Sequence, residues 1–151
     1  MVKKDSASGD IFFLQTLGPF KRAFGIPVGT NASDTLIWVA VARPSQGMGN
    51  TGAQWTAYDS TFTGASATIR LQIFGKIVEQ TTIIDSSATH ASHTVYRSRT
   101  SRNVTVGGTL AQSDAETSQL WLEAGVGPIQ VWIIEDTENL GHYRVLSGKN
   151  F

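Results

Sequence analysis

The chain has no cysteine, which excludes disulfides, thiol nucleophiles and cysteine-ligated metal and leaves the redox compartment undetermined. It is poor in charge: Asp, Glu, Lys and Arg make up 16% of 151 residues, against about 25% in an ordinary globular domain. Twelve basic and twelve acidic side chains cancel, so no global field attracts nucleic acid or a membrane surface. Near-neutrality also favours self-association. No apolar run reaches the length of a membrane-spanning helix, and Met1-Val2-Lys3-Lys4-Asp5 leads into polar residues where a secretory signal needs an apolar core. The expectation is a protein kept in a cytoplasm, or assembled there into a particle.

Motifs that specify chemistry are equally scarce. His90 and His93 stand three apart, a ligand spacing on a helix that diverges on a strand, and no third or fourth ligand accompanies them. No Gly-x-Ser-x-Gly elbow singles out a nucleophile. Gly107-Gly108 lacks the surroundings of a phosphate loop and reads as a turn. The carboxylates Asp114 and Glu116, and Glu135, Asp136 and Glu138, lie in or beside expected turns, where solvated charge is the norm. The expectation is therefore no metal, no cofactor and no enzymatic activity.

What is present is the material of sheets. Fourteen serines and seventeen threonines fill the place of the missing charge, and threonine suits a pleated, half-exposed surface. Thr68 to Phe74 alternates, with Ile69, Leu71 and Ile73 on one face and Arg70 and Gln72 on the other. Gly75-Lys76 then offers a turn or bulge before a second strand to Asp85. Thr35 to Arg43 is apolar on both faces, as expected for the centre of a sheet. Residues 18–29, punctuated by Gly18-Pro19 and Gly25-Ile26-Pro27, read as extended connections. Residues 45–66 read as a long Gly-rich loop. His93 to Thr100 and Asn103 to Val106 read as separate strands, and Ser113 to Thr117 as a helical turn with Ser113 capping. Some eight or nine short strands with turn signals about every ten residues indicate an all-β chain: an antiparallel β-sandwich of jelly-roll type. Residues 1–9 form a polar N-terminal arm that needs a partner to become ordered, and 10–151 form a single domain.

Several stretches carry more apolar surface than a subunit facing only water requires. Ile11-Phe12-Phe13-Leu14 has no polar face, so it is buried on both sides or covered by another subunit. Trp55, Tyr58 and Phe62 are the large side chains of the 45–66 loop. They form either a lid on the core or a platform for a protein or sugar. Ser118 to Asp136 reads as a hairpin about Gly125-Val126-Gly127-Pro128, a register that sets Trp121 directly opposite Trp132 on the face away from Leu120 and Leu122. Arg97 and Arg99, with His93, form an outward row if Tyr96 points in. Residues 68–102 carry a net charge of plus three and residues 112–138 of minus six, so the two regions can pair within the fold or between copies. Phe12, Phe13, Trp55, Tyr58, Phe62, Trp121, Trp132, Arg97 and Arg99 are the candidate partner interface.

The neutral, Ser/Thr-rich β-domain without cysteine, its polar arm and its surplus apolar strand surface resemble the small virion proteins of tailed phages, above all the decoration or cement proteins of the capsid exterior. The resemblance covers overall character and no motif, so it transfers no residue roles. It implies a non-enzymatic structural protein in the virion, a homo-oligomer with a trimer favoured, that binds the major capsid protein and stabilises the shell without nucleic acid or membrane. The alternative is a carbohydrate-binding module or a tail receptor-binding domain using Trp55 and Tyr58.

Overall fold

The computed structural model of the protein describes residues 2–44, 50–84, 92–123, 127–134 and 141–145. Most of these are in strands, arranged as two antiparallel sheets. Strands β1 (Val2–Lys4), β2 (Ile11–Thr16) and β3 (Leu36–Ala42) form a three-stranded sheet in that order. Strands β4 (Gln54–Thr63), β5 (Thr68–Ile84), β6 (Ser92–Val106), β7 (Thr109–Glu123), β8 (Gly127–Ile134) and β9 (Gly141–Val145) form a six-stranded sheet, again in chain order. Every strand neighbour is thus a neighbour in sequence among the described residues. A jelly roll is built instead from two Greek keys, in which a long connection returns a strand beside an earlier one.

Several local expectations change. Most of the expected 45–66 loop is strand β4. Its residues alternate, but a bulge between Thr56 and Tyr58 moves the buried set from Trp55 and Ala57 to Tyr58, Ser60 and Phe62, which hides the period. Gly75-Lys76 is not a turn: β5 runs unbroken for 17 residues, with its irregularity between Ile77 and Glu79. Gly75 is needed for another reason, since a Cβ there would overlap the indole of Trp55. The two expected strands from His93 to Val106 are one, β6. Ser113 to Thr117 lies in β7, because pairing with β6 outweighs a local helix cap. Three of its residues, 115–117, are bulged out where Thr100 pairs with Ser118 and Arg102 with Asp114.

Residues 18–29 are not wholly extended: Gly18–Ala23 is a short helix, α1, with Pro19 in its first turn, where the missing N–H costs nothing. Ala32–Thr35 adds one 3-10 turn. The Gly107-Gly108 turn stands, both residues having positive φ (55° and 86°), as a two-residue hairpin between Val106 and Thr109 demands.

The polar N-terminus is half of a hairpin, not a free arm. Val2, Lys3 and Lys4 pair with Phe13, Phe12 and Ile11. Asp5 holds the turn, accepting from the amide of Ala7 at 3.0 Å and the hydroxyl of Ser8 at 2.8 Å. These bonds favour the ionised carboxyl and lower its pKa.

Strand β3 is last in its sheet, not central, yet Val39, Ala40, Val41 and Ala42 are all at most 2% exposed. Layer packing buries it. One core joins Leu17, Ile26, Val39 and Ala40 to Trp55, Ala57, Ile69, Leu71, Ile73, Ile77 and Val104 of the larger sheet, and a second gathers Ile11, Val41 and Ala42 with Phe13. Arg43 ties the layers together, bonding Asp10 at 3.0 Å and the carbonyl of Thr56 at 3.3 Å. The described contributors from the larger sheet come from β4, the first part of β5 and the end of β6. Tyr96, near the start of β6, also packs partly on this core, so the smaller sheet covers the β4, β5 and β6 strands of the larger one.

Candidate interaction surface

Five of the nine sequence-derived candidates are drawn to the cores and four are gathered elsewhere on the larger sheet. Phe12 packs on the main core and Phe13, with Ile11, in the second, so Ile11, Phe12 and Phe13 meet apolar partners within the chain. Lys3 lies with its ammonium 5.2 Å from the centre of the Phe12 ring and 5.0 Å from that of Trp38, a favourable cation–π distance.

Trp55 is 4% exposed and donates its indole N–H to the carbonyl of Ala40 at 2.7 Å. Buried and hydrogen-bonded across the two layers, it has no ring face left for a sugar or a partner. Its place in the candidate interface is thereby corrected. Tyr58 and Phe62 are half-buried against the same core. Phe62 meets Phe20 edge-on at 6.1 Å, and Lys21 sits 5.6 Å from its ring. The aromatic cluster behaves as the lid weighed above, supplied by a strand and not by a loop.

The remaining candidates converge. Register across the larger sheet forms a row Glu79, Arg97, Trp121, Gln130, Val145 and a neighbouring row Lys76, Arg99, Gln119, Trp132, Tyr143. Arg97, Arg99, Trp121 and Trp132 therefore occupy two adjacent rows. Their relation was invisible in the sequence because it depends on the registers of β6 with β7 and of β7 with β8, the first of which is shifted between Thr100 and Arg102. Trp121 does not face Trp132: it pairs with Gln130, and Trp132 pairs with Gln119. Glu123 pairs with Gly127, so three residues lie between the paired ends in sequence where a four-residue loop was expected, and a bulge between Trp121 and Leu122 adjusts the phase. Arg97, half-buried, bonds Glu79 at 2.7 Å, and Arg102 is in register with Asp114. The basic and acidic regions thus lie side by side within one sheet. Of the histidines, His93 is in register with Ile83, while His90 lies outside the described residues. No group of three or more His, Asp or Glu able to hold a metal occurs among the described residues.

One exposed cluster had no signal until β4 was recognised as a strand. The carboxylate of Asp59 accepts from Arg70 Nε at 2.9 Å and Nη2 at 2.7 Å, and from Gln72 Nε2 at 3.1 Å. The Arg70 hydrogen bonds come first among the causes that hold its pKa below the ordinary carboxylate value. This is a fork-to-fork ion pair on a polar sheet surface, and it stiffens the β4–β5 edge.

Comparison with protein-family models, curated proteins and solved structures finds no match to this chain.

Proposed function

We propose that this chain is a non-enzymatic structural protein that self-associates and binds a larger protein assembly, as a decoration or cement subunit on a phage capsid does. The observation that carries the reading is the mismatch of the two sheets. A six-stranded sheet with strands of 15 and 17 residues is packed by a three-stranded sheet over its β4, β5 and β6 strands, among the described residues. The opposite face of the larger sheet carries the Arg97–Trp121 and Arg99–Trp132 rows, and tryptophan and arginine are among the residue types most enriched at the centres of protein interfaces. On this reading the two sheets act as a sandwich-like body that presents the broad sheet to capsid proteins in the virion.

The test is assembly. The purified protein should elute as an oligomer by size exclusion with light scattering and should co-sediment with capsids lacking it. Trp121→Ser combined with Trp132→Thr should leave a folded subunit whose co-sedimentation is lost. A variant that still binds capsids would remove these rows from the interface, and failure of the unaltered protein to bind any capsid would remove the virion reading.

A further inference from the structure

The ends of the two sheets are protected unequally. An edge strand presents unpaired N–H and C=O groups to any strand that approaches, and proteins blunt such edges with lysine, proline, bulges or short length. Strand β1 is blunted: it has three residues, two of them lysine. Strand β4 ends the larger sheet with ten residues, Gln-Trp-Thr-Ala-Tyr-Asp-Ser-Thr-Phe-Thr, that include no lysine, arginine or proline. Its first half is guarded by the bulge at Ala57 and by Arg43 on the carbonyl of Thr56. From Tyr58 to Phe62 no backbone bond to an element other than β5 occurs among the described residues.

We infer that the Tyr58–Phe62 edge of β4 pairs antiparallel with the same edge of a second copy, about a two-fold axis at Ser60, which continues the larger sheet across both subunits. This deepens the self-association proposed above and rests on it. Only a limited set of registers is open to such a pairing. Facing residues must share both their face and their hydrogen-bonding direction, so the axis passes through a residue and not between two. An axis at Asp59 opposes two carboxylates, and one at Tyr58 runs into the bulge. One at Thr61 sets Phe62 against serine. The axis at Ser60 places Tyr58 opposite Phe62 of the second copy, twice by symmetry. Each is already half-buried on the inner face, and aromatic cross-strand pairs are among the favourable ones. It also places Asp59, neutralised by Arg70, opposite an uncharged threonine. A two-fold contact is self-complementary and closes. It joins subunits in pairs, whereas capsid contacts fall to the rows of Trp121 and Trp132.

The register makes a signed prediction at Thr61, which is exposed and faces Asp59 of the second copy. Thr61→Asp opposes like charges at two symmetric points and should weaken the dimer about tenfold. Thr61→Lys supplies the opposite charge and should hold or tighten it. Both are read by sedimentation equilibrium, with circular dichroism to confirm the fold. Hydrogen exchange on the unaltered protein is an independent reading: amides within Tyr58 to Phe62 should gain protection as concentration rises. If both variants associate like the unaltered protein and the amides show no concentration dependence, the edge is not the contact, although self-association through another surface stands. If the unaltered protein is monomeric at every concentration, this inference and the self-association both fall.

Discussion

Asp59 and Trp55 stand four residues apart on β4 and show two fates of a polar group in a sheet. Trp55 takes its N–H into the core because the carbonyl of Ala40 is there to accept it at 2.7 Å. A buried donor without that partner would carry a desolvation penalty of about 1–3 kcal/mol. Asp59 stays on the surface, where its bonds to Arg70 and Gln72 depress its pKa. A carboxyl whose pKa is lower folded than unfolded contributes stability above its unfolded pKa, and that contribution is lost as pH falls through the folded value. Asp59→Asn should therefore be slightly less stable than the unaltered protein at neutral pH. The difference in urea midpoint should close as pH falls below the ordinary carboxylate range. A gap that persisted unchanged to the lowest pH would mean that the Arg70 pair contributes nothing.

Bulges decide the elements. A single extra residue turns a strand's other face inward, and that happens in β4 after Thr56, in β5 after Ile77 and in β7 between Leu110 and Gln112, whereas residues 115–117 add two and keep the face. Each makes a long strand read in sequence as a loop, a turn or two short strands. Strand β1 is the opposite case, three residues whose pairing no sequence period reveals. Because Val2 to Lys4 pair with β2 and Lys3 lies over Phe12 and Trp38, deleting residues 1–9 should cost at least the cation–π contribution, about 0.5–1 kcal/mol. In a chain of this size that lowers Tm by roughly 2–4 °C per kcal/mol, read by calorimetry. An unchanged Tm would return residues 1–9 to the status of a loose arm.

The whole molecule is two meanders held by shared cores. Three strands with a short helix would be marginal alone, and β3 gains its burial from β4, β5 and β6. The sheets should accordingly unfold together: in urea, the far-ultraviolet dichroism of the strands and the fluorescence of Trp38 and Trp55 should change in one coincident transition. A separate early fluorescence change would mean that the smaller sheet opens independently. Pairing between sequence neighbours keeps most contacts local for a β-protein, which favours faster folding than a sandwich of crossed connections.

The all-β class followed from the sequence alone, because threonine, valine and isoleucine in alternation, broken by glycine turns, cannot bury an apolar face as helices. The same reasoning placed Ile69, Leu71 and Ile73 on the inner face and Gly107-Gly108 in a turn. It also showed that Ile11 to Leu14 requires cover on both sides. The meander order, the burial of Trp55, the pairing of Lys3 with Phe12 and Trp38, and the gathering of Arg97, Arg99, Trp121 and Trp132 into two rows belong to the tertiary structure. Each depends on strand register, which bulges shift by one or two residues. That shift is governed by which side chains fit across strands and layers, as where the indole of Trp55 fits only over Gly75, and no local period encodes it.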